Sequence, residues 1–195
     1  MTAHFHNVRF VFLDRDGVIN RKAPEGQYIA RWSELHILPG VEAAIAALND
    51  SGRPILVVSN QRGIALGLCS HDEVNALHEQ LQEHLARHGA HIDAFYYCPH
   101  DEGQCDCRKP ATGLFRQAFQ DFPGASARNS VMIGDAISDI AAARALNMPS
   151  IFIEGDPSTR KDGTEEAAEL ADAVVTSLAE AVKLILLEAD AGRIG

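Results

Sequence analysis

Two hydrophobic rhythms alternate along this chain. The first is a short apolar run, seen at Val8 to Leu13, Pro54 to Val58, Ala94 to Tyr97, Val131 to Ile133, Ile151 to Ile153 and Ala173 to Val175. Runs so short and so rich in Val, Ile and aromatic residues predict buried strands of a parallel sheet. The second rhythm is helical. Val41, Ala44, Ile45 and Leu48 fall at i, i+3, i+4 and i+7 between Pro39-Gly40 and Gly52. Ser70-His71-Asp72-Glu73 has the form of a capping box, and Val74, Leu77, Leu81 and Leu85 follow it on one face as far as Gly89. Thr112 is the expected cap of a helix burying Leu114, Phe115, Ala118 and Phe119. Ile137, Ile140, Ala141 and Leu146 mark another helix. A second capping box, Ser177 to Glu180, introduces Leu178, Val182, Ile185 and Leu186.

Strands alternating with helices predict an α/β fold, a doubly wound (Rossmann-like) parallel sheet flanked by helices with right-handed crossovers. No repeat, low-complexity segment or linker interrupts the pattern, so residues 1–195 read as a single domain. Arg21 to Leu38 is polar and irregular, and a loop of that length usually works at a site.

Composition narrows the function. The 195 residues are 46% hydrophobic, enough for a proper core;. The net charge of −10, without any Lys/Arg-rich block, argues against nucleic-acid or anionic-membrane binding;. An anionic substrate stays open, because a metal and a few cations can dominate one cleft. No apolar run approaches the roughly 18 residues needed to span a bilayer, and the N-terminus lacks a secretory h-region. A cytoplasmic monomer is expected.

Parallel sheets place ligands beyond the carboxyl ends of their strands. The first strand ends in Asp14, Arg15, Asp16 and Gly17; the second in Ser59, Asn60 and Gln61; Arg108-Lys109-Pro110 lies beyond the third; the fourth ends at Asp135, with Asp139 four residues on. Alone, Asp14 and Asp16 read equally well as a solvated Asp-Gly turn. Four such sets are harder to dismiss. Three carboxylates cannot converge without a cation, and oxygen-only ligands favour Mg²⁺. Lys109 and Ser59 could then hold phosphoryl oxygens. The pattern points to phosphoryl transfer onto a carboxylate.

Cys98, His100, Cys105 and Cys107 supply three thiolates and an imidazole. In a reducing compartment this clustering suggests metal rather than disulfides. Four such ligands fill a tetrahedral Zn²⁺ site with no open position, which makes the ion structural. Free thiols or a disulfide are the weaker readings.

Asp14-Arg15-Asp16-Gly17-Val18, Ser59-Asn60-Gln61, Lys109 and Gly134-Asp135-x-x-x-Asp139 resemble, in order, the four motifs of the haloacid dehalogenase superfamily of phosphatases. Within it, LDRDG, the Ser-Asn-Gln tripeptide and C-x-H…C-x-C-R-K-P are similar to the branch holding D,D-heptose bisphosphate and histidinol-phosphate phosphatases. The resemblance implies that Asp14 is the nucleophile and Asp16 the general acid/base. It implies Mg²⁺ on the Asp14 carboxylate, the Asp16 main-chain carbonyl and Asp135, with Asp139 behind them. Ser59 and Lys109 would stabilise the phosphoryl group. Superfamily members often carry a large cap domain; neither gap here is long enough for one. Short loops would then choose the substrate, with Arg21, Lys22, Asn60, Gln61, Arg62 and Arg108 as candidate contacts.

The tract Ser59 to Gly67 resembles the heptose branch, except that Leu66 stands where that branch commonly has Arg. The implied reaction is removal of the 7-phosphate from D-glycero-D-manno-heptose 1,7-bisphosphate. Alternatives are histidinol phosphate or another small sugar or polyol phosphate. A nucleic-acid end phosphatase and a zinc-stabilised binding module without catalysis are weaker. His84 and His88 sit at i, i+4, but with His71, His78 and His91 they read as a solvated face. Cys69 reads as a plain small side chain, and His4 and His6 as a mobile terminus. Tyr28 and Trp32 read equally as core or as a substrate wall.

Overall fold

A computed structural model describes residues 5–24, 26–155 and 162–191, with side chains to 188. His4 lies outside them. The strands are β1 (Phe10–Leu13), β2 (Ile55–Asn60), β3 (Ala94–Cys98), β4 (Ser130–Gly134), β5 (Ser150–Ile153) and β6 (Ala173–Val175). The helices are α1 (Val41–Asp50), α2 (His71–Ala86), α3 (Gly113–Asp121), α4 (Ile137–Ala145), α5 (Thr164–Leu170) and α6 (Leu178–Ala191). All six strands are parallel, in the order β3-β2-β1-β4-β5-β6. The expected doubly wound sheet is there, and no cap-sized segment interrupts the described residues.

The inner strands serve two cores because neighbouring side chains point to opposite faces. On β1, Val11 and Leu13 join one core with Val41 and Ile45 of α1, Leu81 and Leu85 of α2, and Val182 and Ile185 of α6. Phe12 points the other way and meets Phe115 of α3, at 5.2 Å between ring centroids, and Ala142 and Ala143 of α4. Truncating Phe12 to Ala would cost about 3–5 kcal/mol, since both sides of the sheet are closed around it.

Several local expectations change. Thr112 occupies the position before α3 but makes no side-chain cap bond. Glu180 accepts from Thr176, one residue before the expected partner, although Ser177 Oγ does cap Glu180 N–H at 3.2 Å. On α4 the buried alanines are Ala142 and Ala143, and Ala141 is half-buried. His6 belongs to a 3₁₀ turn, Phe5–Asn7, anchored by fully buried Phe5 packed in the α6 core. The α5 helix has no counterpart in the sequence pattern. No helix among the described residues is long and apolar enough to cross a membrane.

Candidate active site and metal centres

The site lies where the strand order reverses, between β1 and β4, the place such sheets use for ligands. Asp14 follows β1, and its N–H donates to the Ile133 carbonyl at 3.0 Å, so its backbone is fixed to β4. Asp135 follows β4, and Asp139 sits in the first turn of α4. Carboxylate oxygens of Asp14, Asp135 and Asp139 lie within 4.8 Å of one another. Gly17 allows the approach: its φ is +97°, and a Cβ there would overlap the Asp135 carboxylate.

Two lysines hold these carboxylates together. Lys109 Nζ donates to Asp14 Oδ1 at 2.8 Å and to the Val58 carbonyl at 2.7 Å, and pairs with Asp139 Oδ1 at 2.7 Å. Two of its protons are thus donated, and the contact with Asp139 is an ion pair in which Asp139 Oδ1 has no hydrogen-bond partner. Lys22 Nζ lies 2.5 Å from Asp135 Oδ2 and 3.4 Å from its carbonyl. Burial, opposed by Lys109 and helped by Asp139 and Asp16, raises the Asp14 pKa to about 6. Burial, opposed by Lys22 and helped by Asp14 and Asp139, raises that of Asp135 to about 7. Asp139 and Asp14 hold Lys109 charged in spite of its burial. Even with both lysines, Asp135 Oδ1 is buried without a hydrogen-bond partner. A seat of hard oxygens, short of positive charge, fits Mg²⁺.

Asp16 is held apart from that cluster. Arg15 grips both its oxygens, at 3.0 and 2.9 Å. Asn20 donates to it at 2.8 Å and Gln61 at 3.3 Å. Burial pushes its carboxyl up, but Arg15, Asn20 and Gln61 outweigh this and hold it below the usual range. The pattern left Arg15 and Asn20 unassigned, yet both are almost wholly buried. A signal for Arg15 existed: it shares the side of the chain with Leu13, which faces α2 and α6. There it approaches His78 Nε2 at 3.5 Å. His78 is therefore no part of a solvated face. It is 6% exposed and stacks on Phe95 with ring centroids 4.4 Å apart.

The other expected site residues divide. Ser59 is buried, with Gln61 Nε2 on its Oγ at 2.5 Å. Asn60 clamps the main chain of Lys109, donating to its carbonyl at 3.1 Å and accepting from its N–H at 3.0 Å. Here Asn60 positions Lys109. Arg21 is exposed. Arg62 reaches Asp101 at 2.6 Å, which ties the loop after β2 to the cysteine loop, and Arg108 reaches Glu102 within the latter at 3.6 Å. Leu66 and Leu68 of the former stand 44% and 58% exposed. Tyr28 lies against Gly63 of that loop. Trp32 packs on the satellite core of Ile29, Leu35 and Leu77 and against His84, so it is packing rather than a wall.

The cysteine loop also converges. The Sγ separations are 3.4 Å for Cys98–Cys105, 3.1 Å for Cys98–Cys107 and 3.2 Å for Cys105–Cys107. His100 Nδ1 lies 3.7 Å from Cys98 Sγ and 3.4 Å from Cys107 Sγ. A tetrahedron with 2.3 Å Zn–S bonds has an edge of about 3.8 Å, so the three sulfurs, already closer together than that, need only spread by roughly half an ångström to surround one ion. Against the push of burial, contacts from Cys107 and the N–H of Arg108 lower Cys105 to about 6, while burial and its neighbours raise Cys107. One thiol is ready to ionise beside another that is not, and a cation would relieve both. The donor set fits Zn²⁺.

Comparison with known proteins agrees with this geometry. A family model described as HAD-hydrolase-like matches residues 106–181. The D-glycero-beta-D-manno-heptose-1,7-bisphosphate 7-phosphatase of Rhodopseudomonas palustris is 38% identical over 164 residues, covering 80% of this chain and 89% of its own. The D-glycero-alpha-D-manno-heptose-1,7-bisphosphate 7-phosphatase of Mycobacterium bovis is 41% identical over 134 residues, covering 68% and 70%. A crystal structure of D,D-heptose 1,7-bisphosphate phosphatase from B. bronchiseptica, complexed with magnesium and phosphate, superposes with a TM-score of 0.80 at 26% identity, covering 93% of this chain and 99% of that one.

Proposed function

The chain belongs to the haloacid dehalogenase-like family of phosphatases, and from that membership we propose that it removes the 7-phosphate of a D-glycero-D-manno-heptose 1,7-bisphosphate. The observation that carries the reading is the convergence of Asp14, Asp135 and Asp139 around Lys109 at the strand ends. Relatives named for heptose bisphosphate, with both anomers represented, support the substrate class.

Asp14 attacks phosphorus. The phosphorus–O7 bond breaks, and an aspartyl-phosphate is left on Asp14. Asp16 gives its proton to the departing sugar oxygen, then takes one from the water that attacks the aspartyl-phosphate and frees Asp14. At rest Asp16 is held ionised by Arg15, Asn20 and Gln61. A phosphate dianion arriving beside it raises its pKa, so the proton is acquired as substrate binds. Lys109 already touches Asp14 Oδ1, and exchanges that contact for the phosphoryl oxygens, which it holds with Ser59;. Asp14, the Asp16 main chain and Asp135 would hold Mg²⁺, which supplies charge neutralisation for the phosphoryl group. Asp139 fixes Lys109 from behind.

Zn²⁺ in the loop of Cys98, His100, Cys105 and Cys107 is structural and sets the main chain that delivers Arg108 and Lys109. Arg21, Lys22, Arg62 and Arg108 are our candidates to meet the second phosphate, the last three by exchanging Asp135, Asp101 and Glu102 for it. The protein acts as a monomer in the cytoplasm. Steady-state rates on both anomers of the bisphosphate, on histidinol phosphate and on a 3′-phosphorylated oligonucleotide test the substrate. A kcat/KM lead of about tenfold or more for a heptose bisphosphate is expected, worth about 1.4 kcal/mol of transition-state binding. A smaller lead would withdraw the heptose assignment.

A further inference from the structure

Away from both centres, three side chains from two neighbouring segments meet on the outer side of the α1/α2 pair. Glu42 stands in the first turn of α1. His84 lies in the last turn of α2, and His88 in the turn that follows it. Their donor atoms fall within 4.8 Å of one another. Glu42 Oε1 is 3.1 Å from His84 Nε2, and the two imidazole rings lie 4.6 Å apart between centroids.

Two further observations distinguish this from a chance meeting of surface groups. His88 Nδ1 lies 2.9 Å from the main-chain carbonyl of His84. A carbonyl only accepts, so Nδ1 carries the proton and Nε2 keeps the lone pair. Metal-ligating histidines are held in this way, with the second ring nitrogen donating to a carbonyl. His84 is braced as well, by Trp32 packed on its ring at 5.5 Å. Two imidazoles at i, i+4 with a carboxylate make the donor set of first-row transition cations, unlike the oxygen-only set at the strand ends.

We propose that Glu42, His84 and His88 bind a transition-metal dication such as Zn²⁺, Ni²⁺ or Cu²⁺, with water completing its shell, and that the ion staples α1 to the end of α2. The site uses Nε2 of both histidines and one Glu42 oxygen, and shares no residue with the carboxylate cluster or the cysteine loop.

The test uses the full chain, saturated with Mg²⁺ and one equivalent of Zn²⁺, and titrated with Ni²⁺ by calorimetry. One further Ni²⁺ per chain is expected, with a Tm rise of roughly 5–10 °C at about 100 times Kd. His88→Ala and Glu42→Gln each weaken that binding by about tenfold or more, while kcat stays unchanged. His91→Ala, which removes a neighbouring exposed imidazole, leaves it intact. With Cu²⁺, electron paramagnetic resonance should show two coupled nitrogens in the wild type and one in His88→Ala. His88 is exposed and Glu42 half-buried, and the unchanged kcat of each variant reports that it folds. Failure to bind further Ni²⁺, or binding indifferent to His88→Ala and Glu42→Gln, overturns the site.

Discussion

The carboxylate cluster and the cysteine loop both lie beyond the carboxyl ends of the strands, at the centre of the sheet and after its edge strand β3, and solve the same electrostatic problem in opposite ways. Asp14, Asp135 and Asp139 come from the ends of two strands and the start of a helix, far apart in sequence, and the fold brings two lysines with them. The cluster is assembled and largely neutralised before any ion arrives. The cysteine loop draws all four donors from residues 98–107 and, among the described residues, no side-chain cation contacts its sulfurs. A site with built-in counter-charges can exchange its ion during turnover. A site without them depends on the ion to keep its shape. The two are joined through two residues, because Lys109 follows Cys107 by that distance and is clamped by Asn60.

The sharpest test of the first half is Asp14→Asn. The amide keeps the size of the side chain and its place beside Lys109 but cannot take a phosphoryl group. A folded protein with kcat lowered by about 10³-fold or more is expected. A variant retaining more than about a tenth of the wild-type kcat would remove Asp14 as nucleophile, since a loss that small is under 1.4 kcal/mol.

The second half is tested by taking zinc away. Chelation of the loop, or Cys105→Ser, should lower Tm by roughly 6–12 °C, the equivalent of about 3 kcal/mol in a domain of this size. kcat should fall by about 10- to 100-fold as Lys109 loses its footing. Bound Mg²⁺, measured by metal analysis in the same samples, should not change. Simultaneous loss of Mg²⁺ would mean that the two centres are not independent. Finding no zinc in protein kept reduced would remove the loop's role altogether.

Much of this arrangement is legible in the sequence because it lies at strand ends. The six apolar runs mark the strands, and those of β1, β2 and β4 stop at polar residues that reach the site. What escapes is everything that depends on a partner across space. Arg15 looks like a solvated charge between two aspartates, yet the side of the chain it shares with Leu13 buries it. His78 follows Val74 at i+4, on the face that α2 turns inward, and the polar residues around it hide that. The α5 helix gives little signal because Ala167 is its one fully buried side chain. Lys22 and Asn60 read as substrate contacts until their partners, Asp135 and the Lys109 main chain, are seen.

His78 yields a smaller and separate effect. Burial first, then the Arg15 guanidinium, lowers its pKa from 6.5 to about 3, while Asp16 pulls weakly the other way. The folded protein therefore holds His78 neutral where the unfolded chain would protonate it. Between those two values the unfolded state binds the extra proton, so stability falls as pH falls, by about 1.4 kcal/mol per unit. Above pH 6.5 the group contributes no slope. In the metal-free protein the raised Asp14 and Asp135 carboxyls take up protons over the same range and oppose this slope, so urea unfolding at pH 7, 6 and 5 is read as a difference: wild type should lose stability relative to His78→Gln as pH falls. Equal slopes in both proteins would mean that His78 titrates normally.

Lys22 offers the finest discrimination between the two centres. Its ammonium occupies Asp135 Oδ2 and approaches the Asp135 carbonyl, so a dication taking Asp135 must first displace it. Lys22→Met removes that competitor and leaves the oxygens in place, since Gly17 and β4 position them. The Lys22 and Asp135 side chains are only 11% and 7% exposed, but the ion replaces the lost pair with its own contact to the same carboxylate, so half-saturating Mg²⁺ should fall by only about threefold to tenfold, about 1.4 kcal/mol or less;. The displaced ammonium is then free to turn toward the substrate, which is the role its loop position suggested. KM for the bisphosphate should rise in Lys22→Met while KM for a small monophosphate stays level, because only the former carries a second anionic group to meet. No comparable variant exists in the cysteine loop, where no protein cation stands in for the ion. If Lys22→Met instead weakens Mg²⁺, the lysine is part of the seat rather than its placeholder, and the contrast between the two centres loses its basis.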